Sequence, residues 1–64
     1  MPSIKRYILL TYKDTNYQFW NTTTSDFRAV KLAIEELEKK LGKIKGGLNK
    51  YFKENKNNIV IKIL

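Results

Sequence analysis

The stretch LGKIKGGLNKYFKENKN, residues 41–57, sets lysines around a Gly46-Gly47 pair and an adjacent Tyr51-Phe52. Lysine beside glycine is the material of a phosphate cradle, because glycines let backbone N–H groups approach an anion. The spacing fits neither GxxxxGKS/T nor GxGxxG, and no strand leads into the loop, so it reads as a flexible basic corner. Lysine interleaved with aromatics is different material: rings stack on bases while ammonium groups meet phosphates. Other chemistry has little to work with. Without histidine or cysteine the chain offers no thiolate or imidazole ligand or nucleophile. Glu35, Glu36 and Glu38 crowd one stretch of helix and read as surface ion-pairing groups rather than a cation site. We therefore expect no enzyme, no cofactor and no metal.

Charge points the same way as the lysines. Thirteen Lys+Arg against six Asp+Glu leave +7 on 64 residues, the electrostatic footprint of a protein that meets polyphosphate. Abundant Lys, Asn and Ile also suit an AT-rich genome, which accounts for part of that excess. The longest apolar runs, Ile8-Leu9-Leu10 and Ile59-Val60-Ile61, fall far short of the roughly 20 residues of a membrane span. No signal-peptide pattern opens the chain, and absence of cysteine suits a reducing compartment, so a cytoplasmic protein with no membrane partner is expected. Residues 1–64 read as one small basic domain with a thin core.

The elements that must position these side chains begin with SIKRYILLTYK. Alternation puts Ile4, Ile8, Leu10 and Tyr12 on one face, interrupted by Arg6, and Lys5, Tyr7, Leu9, Thr11 and Lys13 on the other. Asp14-Thr15-Asn16 is turn chemistry, and TNYQFWNTTT follows as the second strand of a hairpin, with Tyr17 and Phe19 on one face and Gln18 and Trp20 on the other. Thr24-Ser25-Asp26 can cap a helix running from about 26 to 41. Its apolar stripe is Phe27, Val30, Ile34, Leu37 and Leu41, with Arg28, Lys31, Glu35, Glu38 and Lys39 facing away. Glu35 with Lys39 and Glu36 with Lys40 are spaced to pair, and Gly42 takes the left-handed position after the last turn.

Residues 48–53 admit two readings. Ile44, Leu48, Tyr51 and Phe52 fit a helical stripe, while Leu48, Lys50 and Phe52 alternating with Asn49, Tyr51 and Lys53 fit an exposed strand. The strand is preferred, with Glu54 to Asn58 as the turn into a last strand, NIVIKIL, apolar on both faces as a central strand would be. The fold class is thus α+β: a β-β-α-(β)-β two-layer sandwich with one main helix on a small, mostly antiparallel sheet.

KRYILL at 5–10, a helix AVKLAIEELEKKLG ending in glycine, then KYFKEN and NIVIKI together resemble the RRM-like protein subunit of archaeal and eukaryal ribonuclease P. A small archaeal ribosomal protein, LX, has a similar outline. The first resemblance implies an accessory subunit that binds and shapes a catalytic RNA; Arg6 and Tyr7 match its opening motif, and Lys62 stands where the family carries arginine. Asn58-Ile59 departs from the family, which has glycine there.

The expected function is RNA binding as a structural component of a ribonucleoprotein. Lys5, Arg6, Lys43, Lys45, Lys50 and Lys53 would contact phosphate, with Lys13 and Lys62 beside them; Tyr7 and Tyr51 would stack. Trp20 and Phe19 are expected in the core or an interface. Two alternatives stay open: a DNA-binding protein of a virus, plasmid or archaeal chromosome, and an interaction module that uses the uncovered sheet face. Expected partners are RNA or DNA, other ribonucleoprotein subunits, or a second copy as a homodimer.

Overall fold

The computed structural model describes residues 2–64. Strands β1 (Ile4–Tyr12) and β2 (Thr15–Thr23) lead to helix α1 (Asp26–Leu41), then a short helix α2 (Asn49–Glu54), one 3-10 turn at Lys56–Asn58, and strand β3 (Ile59–Ile63). The sheet runs in the order β2-β1-β3 with both pairings antiparallel. The fold is α+β, one main helix on a three-stranded sheet.

The hairpin is tighter than the turn chemistry suggests. Lys13 and Asp14 both hold positive φ, 48° and 64°, the signature of a two-residue loop whose twist matches that of its strands. Thr15 and Asn16 consequently belong to β2, opposite Tyr12 and Thr11. Thr11 Oγ1 donates to Asn16 Oδ1 at 2.8 Å.

Helix α1 begins and ends where its capping residues dictate. Ser25 is extended and its hydroxyl accepts from the Arg28 amide, and Gly42 closes the last turn at φ 71°. The Lys43 amide returns to the Glu38 carbonyl at 2.8 Å, the wide bond of a Schellman motif. Its buried face is Ala29, Ala33, Ile34, Leu37 and Glu38, one step round from the expected stripe. Two alanines with no exposed surface let the helix lie close on the sheet, and that rotation turns Phe27 out to 78% exposure. Among the described residues the one ion pair within 4.0 Å is Arg6–Asp26; the expected Glu35–Lys39 and Glu36–Lys40 pairs are not formed.

Residues 49–54 are helix, which corrects the preferred strand. A strand would have placed Lys50 on the same face as Leu48 and Phe52. The helix instead buries Leu48 and Phe52, half-buries Tyr51, and leaves Lys50 and Lys53 in water. The last strand is also reassigned: β3 lies at the sheet edge and β1 is central. Ile8, Leu10, Phe19, Ala29, Ala33, Ile34, Leu37, Leu48 and Phe52 form the core.

Candidate nucleic-acid interface

Alternation along β1 sorts the candidate residues by face. The helix side carries Arg6, Ile8 and Leu10, all buried, and the other side Lys5, Tyr7, Leu9 and Thr11. Cross-strand register then places Trp20 of β2 and Lys62 of β3 on either side of Tyr7. Gln18 and Val60 flank Leu9 in the same way. Direct cross-strand neighbours have Cβ atoms about 5 Å apart, so Lys5, Tyr7, Trp20 and Lys62 make one contiguous patch. The Tyr7 and Trp20 rings meet edge to face, centroids 5.3 Å apart at 60°. Trp20, expected in the core or an interface, is 51% exposed on this open face; Phe19 is in the core. The register of the hairpin, rather than residue type, separates the two.

Arg6 does not join the patch. It is 6% exposed, and its Nε donates to Asp26 Oδ1 at 2.7 Å while Nη1 donates to the Thr23 carbonyl at 2.6 Å and the Ile4 carbonyl at 3.3 Å. A buried guanidinium is tolerated only when its donors are met. Here they fasten the end of β2 and the first turn of α1 to β1. The expected phosphate contact at Arg6 is therefore replaced by a structural role.

Tyr51 is likewise removed from the stacking surface. It packs edge to face on Tyr12 at 4.8 Å and on Phe52 at 5.1 Å. Its hydroxyl accepts from the Lys13 amide at 3.3 Å and from Asn58 Nδ2 at 3.2 Å. It pins α2 to the hairpin turn. Around it the lysines gather at the hairpin end of the molecule: Lys13 and Lys43 lie 5.4 and 5.7 Å from the Tyr12 ring centre, and Lys40 lies 5.6 Å from that of Tyr17. These are cation–π distances. Lys40 was not among the expected contacts. Lys45 and Lys50 are exposed on the corner and on α2, and Lys53 lines a groove between the two helices.

The glycine pair holds an anion of the protein's own. Glu38, expected to face solvent, is 2% exposed; its carboxylate accepts from the Gly46 amide at 3.0 Å and the Leu48 amide at 2.9 Å. Gly46 takes φ 84° to present that amide, and the Gly47 amide is bonded to the Ile44 carbonyl at 3.0 Å. The donors a bound phosphate would need are taken. Glu38 continues Val30 and Ile34 at four-residue steps, which marks it for the buried face despite its charge, and its place four residues before Gly42 puts it within reach of the returning corner. Among the described residues no three Asp or Glu side chains gather as a metal site would require.

No family model, no curated protein and no solved structure matches this chain. Among the described residues no helix is long and apolar enough to cross a membrane.

Proposed function

We propose that the protein binds single-stranded RNA on the open face of its sheet, as a non-catalytic component of a ribonucleoprotein. The observation that supports this reading best is the Tyr7–Trp20 pair, which no other element covers and which has Lys5 and Lys62 as immediate neighbours. Unstacked bases gain about 1–3 kcal/mol each on such rings, and the lysines meet the phosphates that follow. Bases within a duplex already stack on each other, so an exposed indole ring favours single strands. The lysines at the hairpin end, Lys13, Lys40 and Lys43, extend the positive field beyond the sheet. The likeness of KRYILL and NIVIKI to the ribonuclease P subunit favours RNA over DNA and a particle over a free regulator.

The test is a filter-binding competition at about 50 mM salt among single-stranded RNA, single-stranded DNA and duplex DNA, repeated as salt is raised. The expected result is preference for the single strands, RNA first, with affinity falling steeply in salt as counterions are released. Preference for duplex DNA, or binding indifferent to salt, would overturn it.

A further inference from the structure

The free edge of β3 carries a pattern that suits pairing with itself. The Leu64 amide donates to the Lys5 carbonyl at 3.1 Å, and bonding groups alternate in direction along an antiparallel strand. Val60 and Lys62 therefore bond inward to β1, while Ile61 and Ile63 turn both N–H and C=O outward. Ile59 turns its carbonyl outward; its amide returns to the Lys56 carbonyl. Edge strands are ordinarily protected by proline, a bulge, an inward-pointing charge or a lysine on the strand. Ile59–Ile63 has one of these, Lys62 on the open face, and its helix-side row of Ile59, Ile61 and Ile63 carries no charge, proline or bulge. The opposite edge, β2, is rich in threonine, asparagine and glutamine instead.

Beside this edge the apolar surface continues into a groove of about 790 Å³ lined by Phe27, Val30, Ile34, Phe52, Ile59 and Ile61. Phe27 is 78% and Ile63 64% exposed, large apolar side chains left in water at the rim. We propose that a second copy of this chain pairs its β3 antiparallel to this one, about a two-fold axis at Ile61, giving a continuous six-stranded sheet. The strand is symmetric in the way that such an axis demands. Ile61 exchanges both bonds with Ile61 of the second copy, and the Ile63 amide meets the outward Ile59 carbonyl. Isoleucine faces isoleucine at every inner position, and Lys62 lies opposite Val60 rather than opposite itself.

The charged groups lining the groove are Asp26, already held by Arg6, and Lys31, Lys53 and Lys56, so backbone bonds and apolar contact carry the pairing while the lysines of the two copies oppose it. A standard interface covers about 800 Å² per partner, about a sixth of this chain's 4689 Å². The two Tyr7–Trp20 pairs then share one face.

Sedimentation velocity without nucleic acid tests the pairing. Each copy carries +7, so the dimer tightens between about 50 and 500 mM salt, the reverse of nucleic-acid binding; this keeps the two proposals separable. Ile63→Lys and Phe27→Ser alter exposed side chains on two different elements, so the folded circular dichroism spectrum persists while dimer affinity falls at least about tenfold. Trp20→Ala leaves the dimer intact. A chain monomeric up to about 0.5 mM, a dimer that both edge variants leave unchanged, or one lost with Trp20→Ala would overturn the proposal.

Discussion

Arg6 and Tyr7 are adjacent on the central strand, and the two faces of β1 give them opposite lives. Arg6 points under α1, where every contact is internal: a carboxylate, carbonyls, 6% exposure. Tyr7 points the other way, half-buried among Trp20, Lys62, Lys5 and Leu9 with no helix over it. The covered face is closed by internal bonds, and the open face is the one on which the proposed ligand would sit. Parity along the strand, before residue type, decides whether a basic or aromatic residue here is buried or open to solvent.

The largest effect that would sharpen this contrast belongs to the covered face. Arg6→Ala removes the donors that join β2 and α1 to β1, and is expected to lower stability by about 2–4 kcal/mol, read by urea unfolding. RNA affinity of the fraction still folded should hardly change. A stable variant with lost binding would return Arg6 to the interface and break the comparison.

Next comes Glu38→Gln. One of its two amide partners then faces an NH₂ group, at a cost of about 1–3 kcal/mol, and α2 with the basic corner loosens before the sheet does. Hydrogen exchange should show faster exchange at Gly46 and Leu48 than along β1. Equal protection in both regions would mean that the carboxylate is not what holds the corner.

The open face should behave in reverse. Trp20→Ala removes a half-buried ring and its edge contact with Tyr7, so stability falls by about 1–2 kcal/mol, less than for Arg6→Ala, while RNA affinity falls by about 1–3 kcal/mol, roughly 5- to 150-fold. Smallest of all, Lys5→Ala and Lys62→Ala should each lower the slope of log affinity against log salt by about 0.7. The same change at Lys50, on α2 rather than on the sheet, should lower it less. Equal slopes for all three would mean a diffuse field rather than a face.

Much of this was readable from residue order and some was not. Period-two alternation in SIKRYILLTYK and TNYQFWNTTT separates the two faces correctly, and the caps at Ser25 and Gly42 bound α1. Phe27 misleads because a large apolar residue on the edge of a stripe competes with alanines, and close packing on the sheet favours the alanines. Residues 48–53 satisfy both periods, and only the need to keep Lys50 in water decides for helix. Glu38 and Arg6 were illegible in their roles, since each is a charge whose partners lie on another element. Trp20 and Tyr51 exchange places for the same reason: strand register brings one to Tyr7, and α2 carries the other to Tyr12.

Because Trp20 is the sole tryptophan, its fluorescence reports on the open face alone. Titrating the protein with a short oligouridylate at about 50 mM salt should quench that emission to saturation, with the same midpoint as binding followed by filter retention, and Tyr7→Ala should shift both together. Retention of the RNA with Trp20 emission unchanged would place the ligand elsewhere and contradict the account.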